Sequence, residues 1–423
     1  MTQNILLLGS GGRESALAWK LTQSPLCGRL YIAPGNGGTG QWGENVTLSP
    51  TDFKAIEQFC VAQDVRLIVV GPEDPLVAGV EDYFEGSGIR VVGPSQEAAQ
   101  LEGSKAFAKK FMARHSIPTA QYREFSEASF EEGLEYLKTH PLPIVLKADG
   151  LAAGKGVVIA QTHQEALDTF REMIAEKKFG DASARVVVEQ FLDGIELSVF
   201  ALTDGETYVL FPEAKDYKRI GEGDTGLNTG GMGAVSPVPF AGEAFMEQVE
   251  REIVRPTIEG FKQEGIRYRG FVFFGLIKVG DAPYVIEYNC RMGDPETEVV
   301  MPRLDADLVA LCDSLFDGTL AQQTVRHYPS AAATVMLVSG GYPEDYGKGF
   351  PIAGLEDSNS GDTLVFQAGT AAKDGQIVTS GGRVLAITAL APTLPEALAK
   401  SYQKASGISF QDVYFRKDIG WEF

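Results

Sequence analysis

Apolar runs and amphipathic stretches alternate along the first hundred residues. Short apolar runs predict buried strands at residues 5–8, 30–33, 66–70 and 90–92. Between them, residues 13–23 and 52–63 carry the spacing of amphipathic helices. Strands that alternate with helices predict parallel βαβ units in a doubly wound, Rossmann-like sheet of the α/β class. Gly-Pro pairs at 71–72 and 93–94 follow two of these strands and mark the sheet edge where such folds bind ligands.

Two further units are predicted after residue 101. Ser104 is placed to cap a helix, and three strand patterns follow it. Residues 213–236 are rich in glycine and have no apolar period, so we expect one long functional loop there. From residue 324 onward, a strand, an Asp374-Gly375 hairpin turn and a Thr393 capping box predict a mixed α+β unit.

Composition and charge narrow the class of protein. The chain has 423 residues, 44% of them apolar, a formal net charge of −20 and a sequence pI near 4.7. No nucleic-acid or membrane partner is expected, because nucleic acids and anionic membranes attract basic surfaces. The cysteines and histidines lack zinc-site spacing, and residues 1–8 lack the basic start of a signal peptide. We therefore expect a cytoplasmic protein that binds phosphates through a few local basic groups.

The first candidate phosphate site is the turn between the first strand and the first helix. Gly11 and Gly12 begin that helix, and unpaired N–H groups at a helix N-terminus suit an anion. A dinucleotide site is disfavoured, because Glu14 stands where a third small residue belongs. An ordinary tight turn with no ligand remains the alternative.

The second candidate is the segment KADGLAAGKG at residues 147–156. It is not a Walker A motif, because only three residues separate Gly150 from Gly154 and because Gly156 stands where Ser or Thr must bind magnesium. We expect a hairpin that closes over phosphates, with Lys147 supplying a positive charge at the end of a strand. A flexible surface hairpin is the alternative interpretation.

The most informative segment is the strand pattern at residues 285–289 and the residues after it. Side chains alternate along a strand, so we expect Glu287, Asn289 and Arg291 to share one face about 6.6 Å apart. Two oxygen side chains at that spacing can converge on magnesium, and an arginine beyond them can bind phosphoryl oxygens. The alternative is a sheet face with solvated charges.

A glycine-rich stretch provides a possible acyl-phosphate site. Asp216 precedes the sequence DTGLNTGGMG at residues 224–233. Its small residues and hydroxyl groups suit a nest of backbone donors for a substrate or an acyl phosphate. A disordered loop would have a similar composition.

These motifs, in this order, resemble the ATP-grasp superfamily and, within it, the phosphoribosylamine–glycine ligase family. The matching stretches are residues 9–14, 33–36, 71–76, 101–105, 144–156, 224–237, 291–296, 381–383 and 416–421. The resemblance implies an ATP-grasp fold with an N-terminal Rossmann-like substrate domain at 1–101. It also implies an ATP-grasp domain at 102–323, with a mobile lid at about 120–192, and a C-terminal α+β domain at 324–423. The implied reaction is the ATP-dependent joining of glycine to 5-phosphoribosylamine through glycyl phosphate, in purine synthesis.

The resemblance also implies roles for individual residues. ATP contacts are expected from Lys105, Lys147, Gly154, Lys155, Gly156, Glu189, Gln190, Phe191, Leu192 and Glu196. Glu287 and Asn289 are the expected ligands of Mg²⁺, with Mn²⁺ as a substitute. Substrate contacts are expected from Gly11, Gly12, Glu73, Thr229, Gly230, Gly231 and Arg383. The expected catalytic groups are Lys147, Asp216, Asn228 and Arg291. We expect a monomer whose partners are the small-molecule substrates.

Two departures from the family pattern limit what can be transferred. Many relatives have histidine where Ser15 stands, and Ser-Gln-Asp-His where residues 213–217 run here. No catalytic histidine is therefore carried over. Two other functions stay open: a different ATP-grasp enzyme such as a biotin carboxylase, and a nucleotide-binding regulatory protein without activity.

Overall fold

The computed structural model confirms the predicted βαβ alternation at the N-terminus. It describes residues 2–150, 156–178, 184–356, 359 and 361–423. The first elements are β1 (Gln3–Gly9), α1 (Gly12–Leu21), β2 (Cys27–Pro34), β3 (Glu44–Asn45), α2 (Phe53–Ala62), β4 (Val65–Val70), α3 (Glu73–Val77), α4 (Val80–Phe84) and β5 (Arg90–Pro94). Their strands pair in parallel in the order β3-β2-β1-β4-β5. The carboxyl ends of β1 and β4 therefore share the edge at which the turn into α1 begins.

A smaller antiparallel sheet follows. Its elements are α5 (Gln100–Gly103), α6 (Lys105–Arg114), β6 (Tyr122–Ser126), α7 (Phe130–Thr139), β7 (Ile144–Ala148), β8 (Val157–Ala160), α8 (His163–Ile174) and β9 (Arg185–Gln190). The strands pair in the order β6-β9-β7-β8, and α7 and α8 pack against them over a separate apolar cluster that includes Phe125 and Phe170. Ser104 caps α6 as predicted, accepting a hydrogen bond from the Phe107 N–H.

The third group of elements extends the N-terminal sheet. It comprises β10 (Ile195–Thr203), β11 (Tyr208–Leu210), β12 (Lys215–Asp216), β13 (Arg219–Gly221), β14 (Thr225–Asn228), β15 (Gly233–Ser236), α9 (Glu243–Val249), α10 (Arg255–Glu264), β16 (Tyr268–Val279), β17 (Ala282–Asn289), α11 (Thr297–Arg303), β18 (Leu304–Asp305) and α12 (Leu308–Asp317). A π-helical turn at Glu250–Val254 joins α9 to α10. Strand β16 pairs with β5 through Tyr268 with Pro94 and Arg269 with Gly93. Nine strands thus form one continuous sheet.

The remaining elements form a mixed α+β region. They are β19 (Arg326–His327), β20 (Ala331–Val338), β21 (Thr363–Gln367), β22 (Thr370–Lys373), β23 (Gln376–Thr379), β24 (Arg383–Ala391) and α13 (Leu394–Ser406). The five-stranded sheet has the order β12-β15-β20-β24-β21. Asp374 and Gly375 have φ of 50° and 77°, which confirms the predicted hairpin turn between β22 and β23. In the described residues, no helix is both long and apolar enough to cross a membrane.

The prediction that residues 213–236 form one long loop was wrong. The segment contains four short strands, and β13 and β14 pair as a hairpin. The physical reason lies far along the chain. Arg416, which is fully buried, donates to the Arg219 carbonyl and to Asp224 Oδ1, and Asp418 accepts from the Gly223 N–H at 2.7 Å. Contacts across almost 200 positions leave no local sequence pattern.

Candidate active site

Two buried lysines share one carboxylate where the small sheet meets α6. Lys147 on β7 and Glu189 on β9 project from the same sheet, and their Nζ and Oε2 atoms lie 3.0 Å apart. Lys109 on α6 reaches the same Oε2 at 3.1 Å. All three side chains are almost fully buried. Burial lowers the pKa of Lys109 to about 8, although Glu189 opposes that change.

The other predicted ATP contacts lie around this centre. Lys105 begins α6, and its Nζ is 3.4 Å from the Gly150 carbonyl oxygen. Gly156 immediately precedes β8, and its carbonyl accepts from the Ala148 N–H at 2.8 Å. Gln190 ends β9, and Phe191 and Leu192 follow it with half-buried side chains. The predicted contacts from Gly154 and Lys155 lie outside the described residues.

The predicted metal ligands face the lysine centre across a small cavity. This cavity is lined by residues from α6, β9 and β17, among them Lys105, Lys109, Glu189, Glu287 and Asn289. The structure therefore brings the predicted phosphate-binding Lys105 and both predicted metal ligands into one space. In addition, Glu189 Oε1 is buried and has no hydrogen-bond partner among the described residues, so it has an acceptor to offer a ligand.

The hydrogen-bond network fixes the amide of Asn289. With its nitrogen toward Glu102, the amide donates to Glu102 Oε1 at 3.0 Å and to the Tyr288 carbonyl at 3.3 Å. The amide oxygen then points away from Glu102. The described residues hold no cluster of three or more His, Cys, Asp or Glu side chains suited to a metal. A carboxylate and an amide still fit Mg²⁺, because that ion commonly takes one or two protein oxygens and completes its shell with water and substrate phosphates.

Arg291 does not extend the strand face as the alternation predicted. Strand β17 ends at Asn289, so Arg291 lies beyond the pleat. Its Nη2 donates to Glu102 Oε1 at 2.7 Å, and its Nε lies 3.6 Å from Glu73 Oε2. The Nε is buried without a hydrogen-bond partner in the described part of the chain. Arg291 thus links the metal-ligand end of β17 to Glu73 at the start of α3.

Charged side chains from β10 and β12 approach the same end of β17. Lys218 pairs with Glu196 at 2.6 Å. Burial raises the pKa of Asp216, and Glu196 and Glu287 add to this effect while Lys218 opposes it. Burial, followed by the charge of Asp216, also raises the pKa of Glu296 to about 7. This part of the site therefore contains two carboxyl groups, Asp216 and Glu296, whose pKa values are raised.

The glycine turn formed by Gly11 and Gly12 faces a second set of predicted contacts. Gly11 donates through its N–H to Glu14 Oε2 at 2.5 Å. Arg383 Nη1 donates to the carbonyls of Gly230 and Asp294 at 2.7 and 2.8 Å, and its Nη2 is 3.0 Å from Asp294 Oδ1. Asp294 also lies against Gly11, where a Cβ would stand 3.1 Å from Asp294 Oδ2. The turn and Arg383 therefore meet at Asp294.

Thr229 and Asn228, both predicted from the glycine-rich stretch, have surroundings that differ from each other. Thr229 donates through its N–H and its hydroxyl to the Lys218 carbonyl at 2.7 and 2.8 Å, and its Oγ1 accepts from the Gly231 N–H. Its polar groups thus shape the loop itself. Asn228 ends β14, opposite Arg219, with its side chain exposed, outside the buried clusters.

The C-terminal segment 414–422 contacts residues 215–217, which precede the glycine-rich stretch. Glu422 accepts from the Tyr217 hydroxyl at 2.9 Å and pairs with Lys215 Nζ at 3.1 Å. These two partners flank Asp216 and belong to the stretch that departs from the family pattern. Ser15, the other departure, donates its hydroxyl to the Gln367 carbonyl at 2.5 Å. At both places where the sequence departs from the family pattern, side chains therefore form hydrogen bonds or ion pairs within the protein.

Several residues of the site were not assigned roles from the sequence. Lys109, Glu102, Asp294 and Lys218 all contact predicted site residues. Lys218 and Asp294 lay inside stretches already singled out, so their motifs carried a signal. For Lys109, the only signal in the sequence was its position one helical turn after Lys105.

The fold and the site define a protein of the ATP-grasp class. The crystal structure of a phosphoribosylamine–glycine ligase from Thermotoga maritima superimposes with a TM-score of 0.86 at 34% identity, covering 98% of this chain and 99% of that one. A biotin carboxylase domain from Hydrogenobacter thermophilus has a TM-score of 0.74 at 14% identity, over 98% of this chain and 92% of its own. The latter likeness shows the common fold alone.

Sequence comparison narrows the class to one family. Models of the phosphoribosylglycinamide synthetase N domain, ATP-grasp (A) domain and C domain match residues 3–102, 103–297 and 332–422. A phosphoribosylamine–glycine ligase from Vibrio cholerae is 49% identical over 99% of this chain and 97% of its own length. The chain belongs to the phosphoribosylglycinamide synthetase family.

Proposed function

We propose that this chain joins glycine to 5-phosphoribosylamine at the expense of ATP. The products are glycinamide ribonucleotide, ADP and phosphate, and the intermediate is glycyl phosphate. The carrying observation is the single cavity that Lys105, Lys109, Glu189, Glu287 and Asn289 line. Membership of the family and the relatives' activity support the same reaction.

The nucleotide half of the proposal rests on the lysine centre. Phosphoryl transfer needs alignment and neutralisation of phosphate charge more than covalent help from the protein. Lys105 supplies positive charge at the cavity, and Lys147 lies beside it through its ion pair with Glu189. Glu189 Oε1 offers a buried acceptor to the base. Glu196 would accept from the ribose hydroxyls after exchanging its pair with Lys218. A divalent ion, Mg²⁺ or Mn²⁺, held by Glu287 and Asn289 would neutralise phosphoryl charge.

The acyl half needs no general base in its first step. The carboxylate of glycine is ionised at neutral pH, since such groups titrate near pH 3.5, so it attacks the terminal phosphorus directly. The Nε of Arg291 is available to the phosphoryl oxygens. When the amine attacks glycyl phosphate, a proton must leave its nitrogen, and Asp216 is the proposed acceptor. The N–H groups of Thr229, Gly230 and Gly231 already donate within the protein. Arg291 is therefore the proposed stabiliser of the oxyanion.

The amine substrate is assigned to the glycine turn. Its phosphate would lie at the N-terminus of α1, with Arg383 as the cationic partner, and Glu73 would accept from its ribose hydroxyls. We further propose the predicted units as working domains: 1–101 for the amine substrate, 102–323 for ATP, and 324–423 to complete the pocket. The cytoplasmic location and the monomeric state stay predictions.

The test is ADP release with ATP, Mg²⁺, glycine and phosphoribosylamine formed in situ from ribose 5-phosphate and ammonia. Each component is omitted in turn. The matched control is Glu124→Gln, at the ion pair of Glu124 with the exposed Lys110 outside the cavity. We expect ADP only when all components are present. ADP without glycine would contradict the proposal and indicate another acyl substrate, and no ADP at all would favour a binding protein.

A further inference from the structure

Glu298 lies beneath the glycine turn and has no polar partner of its own. It is the second residue of α11 and is 0% exposed. Neither of its carboxylate oxygens has a hydrogen-bond partner among the residues described. Its Oε1 packs against Gly12 so closely that a Cβ there would overlap it. The side chain therefore supports the first residue of α1 from below.

The surroundings do not favour a charged carboxylate at this position. The charged groups that act on Glu298 are Asp294, Arg383 and Glu296. Arg383 already pairs with Asp294 at 3.0 Å, so an ionised Glu298 would be a second carboxylate competing for one guanidinium. Burial, and then the charge of Asp294, raise the pKa of Glu298 well above its ordinary value, although Arg383 and the backbone N–H of Glu298 oppose that change.

The N-terminus of α1 gives this protonation state a consequence. The first N–H groups of a helix carry a partial positive charge and lack partners within the helix. The Glu14 carboxylate already accepts from the Gly11 N–H there. A second carboxylate against Gly12 would cancel the remaining positive charge, whereas a carboxylic acid fills the same volume without doing so.

We propose that Glu298 is held as a neutral acid and acts as a positioning residue for the glycine turn, which can then receive an anionic phosphate group. The identity of the phosphate carrier, the amine substrate, rests on the proposed function. The protonation state and the support of the turn do not.

The protonation state can be measured without any substrate. Infrared spectra of the full chain, with and without ¹³C-labelled glutamate, separate a carboxylic acid carbonyl from a carboxylate. Near pH 8 an ordinary glutamate, with a pKa of about 4.3, is ionised. We expect the acid band to lose one component in Glu298→Gln and to keep that component in the control Glu296→Gln. An unchanged band in Glu298→Gln would overturn the proposal.

Binding of ribose 5-phosphate, measured by calorimetry near pH 8, tests the role of the turn. We expect Glu298→Gln to bind within about threefold of the parent, because the amide reproduces the neutral shape. We expect Glu298→Ala to bind about tenfold more weakly, equivalent to about 1.4 kcal/mol, because the turn loses its support. Thermal unfolding shows whether each variant is folded.

Each contrary result has a distinct meaning. Tightening of about tenfold in Glu298→Gln would show that Glu298 was ionised, and equal binding by Glu298→Ala would show that it does not position the turn. Failure of every variant to bind would overturn the phosphate site. If binding and the band behave as expected but ADP release does not depend on glycine, the proposed function fails while this inference stands.

Discussion

The substitution Glu189→Gln tests the two-lysine centre most directly. It keeps the shape of the side chain but removes the charge that Lys109 and Lys147 share at 3.1 and 3.0 Å. Two unit charges 3.1 Å apart attract each other by about 5 kcal/mol at an effective dielectric constant of about 20. Each 1.4 kcal/mol changes proton affinity about tenfold.

The result should be a neutral Lys109 near physiological pH. Burial lowers the pKa of Lys109 to about 8 even with Glu189 present. If only a third of the calculated attraction is lost, the pKa of Lys109 falls to about 7 or below. Each lysine keeps one neutral acceptor, Thr119 Oγ1 at 2.7 Å for Lys109 and the Ile286 carbonyl at 3.2 Å for Lys147. Lys109 should lose its proton because burial already lowers its pKa.

The assay is an NMR titration of ¹³Cε-labelled lysine in the full chain. Lys109 should titrate at about 8 in the parent and clearly lower in Glu189→Gln. The matched control is Glu124→Gln, which removes a carboxylate 3.0 Å from the exposed Lys110 and should leave the Lys109 titration unchanged. An unchanged or higher Lys109 pKa in Glu189→Gln would refute the assigned charge coupling.

Three further predictions concern catalysis, substrate affinity and the loop. Glu287→Ala should abolish ADP release, while the melting temperature stays within a few degrees; near-normal turnover would rule out Glu287 as a metal ligand. Arg383→Ala removes a charged hydrogen-bonding group worth about 1.5–3 kcal/mol, so the KM for phosphoribosylamine should rise about 10- to 100-fold; an effect on the KM for ATP alone would contradict its placement. Glu422→Gln removes the charge that pairs with Lys215 and should lower kcat about tenfold with the KM for ATP unchanged; a kcat within twofold of the parent would show that the C-terminal segment does not position Asp216.

The parts of the site that lie on local patterns could be predicted from the sequence. Glu287 and Asn289 alternate on one strand, and Lys147 ends a strand beside a glycine-rich hairpin. Glu287 and Asn289 line one cavity, and Lys147 pairs with Glu189 at its wall. This arrangement follows from β-strand geometry and from the strand order of the fold. The glycine turn was also predictable, because it joins a strand pattern to a helix pattern in the sequence.

The rest depends on contacts between distant parts of the chain. Glu102 binds Arg291 and the Asn289 amide, although it is separated from both by more than 180 residues. The hairpin of β13 and β14 is held by Arg416, which no periodicity links to it. Pro302 lies inside α11, although proline normally argues against a helix interior.

The pairing of β5 with β16 makes the first two predicted units depend on each other when the chain folds or is divided into fragments. If the chain were divided after residue 101, the edge of β5 at Gly93 and Pro94 would lose Arg269 and Tyr268. An uncovered strand edge is a template for association with other chains. Although the family models place a boundary near this point, a fragment of residues 1–101 should aggregate unless β16 is supplied with it. The chain is therefore better divided, for expression in pieces, around the small β6-β9-β7-β8 sheet than across the nine-stranded one.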